Sequence, residues 1–212
     1  LEVRSNLAAA LKGGNMLEEA IREYRLLIKG YGRMLGPDHP DTLTSRGHLG
    51  VALRESGRVR EAIEVFEALL ADRLRVLGPD HPDTLTSRGH LGAALIDAGY
   101  AETAIEVFEA LLADRLRVLG PDHPGTLTAR GNLAGALRVG GRVEESVGVF
   151  RDVLHDQLRV LGSDHIDTLT ARANLGIALR ESGRPHEAID VFQSLLSVQV
   201  RLLGEGNPRT LL

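Results

Sequence analysis

The sequence contains no cysteine and no tryptophan. Disulfide staples, thiol chemistry and cysteine-ligated zinc are thereby excluded. Aromatic residues make up only 3% of a chain that is 43% hydrophobic, so a core must be built from aliphatic side chains. Lysine occurs twice, at Lys12 and Lys29, and the remaining basic residues are arginine. With 25 basic and 29 acidic residues the formal charge is -4. That balance lacks the basic patch or stripe that nucleic acid requires. No apolar run reaches the roughly 18 residues of a membrane-spanning helix. The opening Leu1-Glu2-Val3-Arg4 has no signal-peptide pattern. The expectation is a soluble, cytoplasmic protein with no membrane or nucleic-acid partner. A glycine-rich phosphate loop after a strand is also missing, as is a lone Ser-His-Asp set. No enzymatic activity, cofactor or metal is expected.

What is present is a repeat. Leu35-Gly36-Pro37-Asp38-His39-Pro40 returns at Leu77 and at Leu119, in steps of 42 residues. Weaker copies follow at Leu161-Gly162-Ser163-Asp164-His165-Ile166 and Leu203-Gly204-Glu205-Gly206-Asn207-Pro208. A fixed period of this length predicts stacked supersecondary units rather than a closed globule. We divide the chain into one repeat domain, 1–212. Its repeats are about 1–35, 36–77, 78–119, 120–161 and 162–203, with 204–212 as the stub of another.

Within a repeat, Leu43, Arg46, Gly50 and Leu53 share one helical face, flanked by Leu49 and Ala52. Gly57 ends that helix, and Gly99, Gly141 and Gly183 are its equivalents. A second helix is predicted from Val59 to Leu77. Its apolar stripe is Val59, Ala62, Ile63, Phe66, Leu69, Leu70, Leu74 and Leu77. Gly78 and Pro79 stop it, and Asp80 or Asp83 caps the next helix, with Pro82 in its first turn. Each repeat is therefore a hairpin of a shorter inner and a longer outer helix. Neither terminal repeat has an obvious polar cap, and the open end at Leu211-Leu212 suggests an excised piece or self-association.

The hairpin carries recognisable marks. A Leu-small pair recurs at Leu7-Ala8, Leu49-Gly50, Leu91-Gly92, Leu133-Ala134 and Leu175-Gly176. A glycine marks the turn, replaced by Asn15 in the first repeat. A small residue follows at Ala20, Ala62, Ala104, Ser146 and Ala188, then an aromatic four residues on at Tyr24, Phe66, Phe108, Phe150 and Phe192. This pattern resembles the tetratricopeptide repeat. The 42-residue period and the Leu-Gly-Pro-Asp-His-Pro linker resemble the long variant of kinesin light chains and of bacterial signalling NTPases. The resemblance implies an all-α, right-handed superhelical solenoid of antiparallel helix pairs, about five repeats long. It also implies a concave groove that binds a peptide or partner protein.

Two departures limit that inference. The first of the paired asparagines of kinesin light chains is here Ser5, Gly47, Gly89, Gly131 or Ala173. The basic positions of a carboxylate clamp are here Thr44, Thr86, Thr128 and Thr170.

The repeat also bounds the chemistry. Asp38-His39, Asp80-His81, Asp122-His123 and Asp164-His165 look like acid–base or metal pairs. Packed helices lie about 8–10 Å apart, so one histidine per repeat makes a ladder rather than a metal cluster. Linker packing is expected of them. Arg4, Arg46, Arg88, Arg130 and Arg172 recur on the hairpin seam, where structural ion pairing is expected. The candidate groove column is Asn6, His48, His90, Asn132 and Asn174, whose amides and imidazoles suit a peptide backbone. The next turns of that face add Val51 and Ile177, then an arginine-bearing rim with Arg54, Arg138 and Arg180. Glu55, Asp97 and Glu181 offset the rim.

The reading is a non-catalytic interaction scaffold binding a peptide or partner protein. The alternatives are a self-associating structural array, a homo-oligomer through its terminal repeats, and the sensor module of a signalling NTPase. Ala62–Pro82 recurs unchanged as Ala104–Pro124, which is consistent with recent duplication or with consensus engineering.

Overall fold

The computed structural model describes residues 1–204. Among them are ten helices and no strand. The stub expected over 204–212, with Leu211 and Leu212, lies outside the described residues apart from Gly204. The chain divides into two compact units, residues 1–107 and the part from Phe108 onward.

The N-terminal unit holds α1 (Glu2–Gly13), α2 (Leu17–Met34), α3 (Pro40–Glu55), α4 (Val59–Leu77), α5 (Pro82–Asp97) and the start of α6 (Ala101–Leu119). From α1 to α5 each helix packs on the next, and α3 also touches α5. The C-terminal unit holds the rest of α6, then α7 (Pro124–Val139), α8 (Val143–Val160), α9 (Ile166–Glu181) and α10 (Pro185–Leu203). From α7 to α10 each helix again packs on the next, and α7 touches α9. Sequential packing of helical hairpins is the architecture that the period predicts.

The linker motif resolves into separate tasks. The histidine, not the expected aspartate, caps the next helix. His39 holds an extended backbone, and its Nδ1 accepts the Asp41 N–H at 3.2 Å. His81, His123 and His165 do the same for Asp83, Gly125 and Asp167 at 3.1, 3.0 and 3.2 Å. Imidazole thus performs the N-cap task more often given to a short oxygen side chain. Proline follows at the first helical position in α3, α5 and α7, where its missing N–H costs nothing. The aspartate binds the next hairpin instead. Asp38 accepts two bonds from Arg75, at 2.5 and 2.8 Å. Asp122 pairs likewise with Arg159, and Asp164 with Arg201.

The turn inside each hairpin follows the expected cap. Gly57 has φ +81°, and the Arg58 N–H reaches back to Leu53 O at 2.9 Å. Asn15 holds the same left-handed backbone in the first repeat, as asparagine tolerates better than most side chains.

Small residues set how closely the helices pack. Phe66 is fully buried, and a Cβ added at Gly50 would stand 2.5 Å from its ring. Gly176 meets Phe192 in the same way, at 2.6 Å. The stripe of α4 differs from expectation at one point. Leu74 is exposed while Arg73 is buried, so the inner face turns one residue back.

On the hairpin seam, Arg46 reaches Asp72 and Arg130 reaches Asp156, each at 2.6 Å, and Arg4 lies 3.4 Å from Glu23. Arg172 is the departure. It is buried, and its Nη1 has no hydrogen-bond partner. Val198 occupies the position that Asp72 and Asp156 hold in their repeats.

Candidate functional site

Two clefts form between odd-numbered helices, one in each compact unit. The helix periodicity explains why. Residues 44, 47, 48 and 51 lie on one side of α3, three or four positions apart, and turn toward α5 across the edge of α4. The small Gly47 keeps that side low.

In the N-terminal unit the cleft lies between α3 and α5. Its walls carry Thr44, His48, Val51, Thr86 and His90, and Arg73 of α4 rises into it. His48 stands edge-on to Tyr24, with ring centroids 5.6 Å apart. His90 stacks on Phe66 at 5.5 Å. Desolvation holds both imidazoles below their usual pKa of 6.5. Nearby cations add to the shift, Lys12 and Arg73 for His48, and Arg54, Arg73 and Lys12 for His90, where His48 adds to it only once protonated. Both rings are therefore neutral at pH 7, each with one donor and one acceptor nitrogen.

The C-terminal unit builds the same cleft from α7 and α9. Thr128, Gly131, Asn132, Thr170 and Asn174 take the places of Thr44, Gly47, His48, Thr86 and His90. Asp167 stands where Asp83 stands, and Gln157 of α8 replaces Arg73 on the floor. Asn132 and Asn174 are half-buried.

The predicted residues fall into three groups. His48, Val51 and His90 line the first cleft, while Asn132 and Asn174 line the second. Asn6 is exposed on α1, and Ile177 is half-buried on α9. The rim arginines are mostly paired. Arg54 lies 3.4 Å from Asp97 and Arg138 3.0 Å from Glu181, and Lys12 makes the same link to Glu55 at 3.1 Å. These links join successive odd-numbered helices. Arg180 is exposed, with no ion pair among the described residues.

Sequence reasoning missed the floor. Arg73 is only 6% exposed and donates to Asp83 O at 2.9 Å and Ser87 Oγ at 2.8 Å. Arg115 donates to Gly125 O at the equivalent place. The signal was available: position 73 recurs as Tyr31, Arg115, Gln157 and Gln199, each with a polar end.

Comparison with known proteins agrees with this architecture. Two family models, each described as tetratricopeptide repeat, match residues 1–41 and 42–83, and residues 89–155 and 132–199. Among solved structures, a Podosopora anserina protein of kinesin light chain type, with nearly identical TPR-like repeats, superposes with a TM-score of 0.81. The two are 27% identical over 96% of each chain. BtubC from P. vanneervenii gives 0.80 at 18% identity, over 98% of this chain and 83% of that one. Bacillus thuringiensis PlcR, solved in complex with the peptide PapR7 and DNA, gives 0.70 at 16% identity, over 100% of this chain and 73% of that one. No curated protein matches the sequence.

Proposed function

The chain belongs to the tetratricopeptide repeat family, and from that premise we propose that it is a non-catalytic scaffold that receives an extended segment of a partner protein in the clefts between its odd-numbered helices. One observation carries this reading. The same cleft occurs in each compact unit, and in each its walls present groups that both donate and accept: two imidazoles in one, two amides in the other. A peptide backbone offers the complementary pattern at every residue.

Many of the ionisable groups outside the clefts have structural tasks, which argues against catalysis by them. The linker histidines cap helices, the linker aspartates tie neighbouring hairpins, and Lys12, Arg54 and Arg138 of the rim pair along the array. Among the described residues no helix is long and apolar enough to cross a membrane. The peptide in the PlcR complex offers a fold-level analogy for the ligand class and nothing finer. We take residues 1–212 as one repeat domain, and a net charge of -4 with a paired rim favours protein over nucleic acid.

Peptides selected against the whole chain from a random displayed library test the reading. Asn132→Ala combined with Asn174→Ala should weaken the selected peptides about tenfold or more, the cost of lost hydrogen bonds in a partly desolvated site. Helicity and melting should be nearly unchanged. Unaltered affinity in that double variant would place the ligand elsewhere.

A further inference from the structure

The two clefts are built from equivalent positions, yet beyond the exchange of imidazoles for amides on the walls they differ at the floor. In the N-terminal unit the floor cation is internal. Arg73 is buried, with Nη1 on Asp83 O and Ser87 Oγ and Nη2 3.8 Å from the Asp83 carboxylate. In the C-terminal unit Asp167 keeps its place, but Gln157 stands for Arg73 and Ala171 for Ser87. Gln157 is 5% exposed, and its Oε1 has no hydrogen-bond partner.

The rest of this cleft is rich in acceptors. Thr128 donates its hydroxyl proton to Pro124 O and Thr170 to Ile166 O, so both oxygens offer only lone pairs to a ligand. Asn132 and Asn174 add amide carbonyls. Among the described residues, Asp167 is the one charged side chain lining the cleft. The nearest cation on α7, Arg130, turns away to Asp156. The His165 Nδ1 accepts the Asp167 N–H at 3.2 Å and lies 3.7 Å from the Asp167 carboxylate.

We propose that the cleft between α7 and α9 binds a basic side chain, lysine or arginine, of the partner segment, in the place that Arg73 fills from within in the N-terminal unit. The partial positive charge at the amino end of α9 opposes a cation there. Arg73 lies at the same end of α5 and is held nonetheless by the carbonyl and carboxylate of Asp83. Asp167 supplies the same two groups.

This inference rests on the groove reading above, and the test separates the two. Peptides selected from the random displayed library are measured by calorimetry in native form and with each lysine replaced by norleucine or each arginine by citrulline. The chain is compared with Asp167→Asn and Gln157→Arg. One basic residue should be indispensable, and its neutral replacement should cost about tenfold or more, as for one hydrogen bond to a charged group. Asp167→Asn should cost about as much. Gln157→Arg should abolish binding while helicity persists, because the chain would then carry its own cation. Peptides that need Asn132 and Asn174 but no basic residue, or that tolerate both Asp167→Asn and Gln157→Arg, would overturn the cation site and leave the groove standing. Peptides indifferent to the double asparagine variant, or no binders at all, would overturn both.

Discussion

Gly50→Ala and Gly47→Ala should move stability in opposite directions, although both replace a glycine in α3. Alanine gains about 1 kcal/mol over glycine in a helix interior from backbone entropy. At Gly47 the added Cβ meets only Leu69 Cδ2 at 3.6 Å, an ordinary contact. The full propensity gain should appear there. At Gly50 the Cβ meets Phe66 at 2.5, 2.7 and 3.0 Å, on a ring that is fully buried. The ring or the helix must then shift, and overpacking of this kind costs about 1–3 kcal/mol. The net effect at Gly50 is a loss of up to about 2 kcal/mol, from the difference of those two terms. Urea unfolding followed by far-UV circular dichroism gives the sign. Native-state hydrogen exchange at α3 and α4 amides localises it, because repeat arrays need not unfold as one step. The stack of His90 on Phe66 supplies a second readout, since a displaced ring changes the His90 chemical shift. Equal stabilisation by both variants would refute the claim that glycine is there to admit the phenyl ring.

Four further outcomes are expected. Phe150→Ala should cost about 3–5 kcal/mol by the cavity it leaves, with exchange protection lost first in α7 and α8. His123→Ala should cost about 1 kcal/mol as a lost cap, and His123→Asn should recover most of it, measured by urea midpoint. Val198→Asp should stabilise the chain by giving Arg172 the partner that Arg46 and Arg130 already have, worth about 1 kcal/mol after loss of the half-buried valine is offset. The pH profile follows from His48 and His90, whose folded pKa values lie below 6.5. Well above pH 6.5 both folded and unfolded rings are neutral and contribute nothing. Below it the unfolded chain binds protons that the folded chain resists, so stability should fall with pH. His48→Asn with His90→Asn should flatten that fall in melting curves recorded across the range.

The hairpins were legible because their signals are local and repeated. The bounds of α4, the left-handed turn at Gly57 and the small-residue contact of Gly50 with Phe66 all follow from spacing along one repeat. The linker was only half legible. Asp and His were both visible, but which one caps a helix depends on where the side chain points. Asp38 points to Arg75 on the next hairpin, leaving the cap to His39. Seam pairing was readable for Arg46 and Arg130, yet the missing hydrogen-bond partner of Arg172 Nη1 appears only once Val198 is aligned with Asp72 and Asp156. The cleft walls were legible in part, since His48, His90, Asn132 and Asn174 recur at one register of the repeat and line the clefts. Asn6 of the same column lines neither, and the wall threonines read only as departures from a carboxylate clamp. The cleft floor was not legible, because the apolar stripe of α4 passes Arg73 by, and its hydrogen bonds to Asp83 and Ser87 of the following helix appear only in the structure. The groove assignment of Arg54 and Arg138 weakens for a similar reason, since both face carboxylates on the next odd-numbered helix.

The most direct measurement maps a selected peptide onto the isotope-labelled chain by chemical-shift perturbation. Binding in the clefts predicts the largest shifts at the side-chain amides of Asn132 and Asn174 and the imidazoles of His48 and His90. Perturbations confined to the outer faces of the even-numbered helices, around Arg60, Glu64 and Glu67, would contradict it.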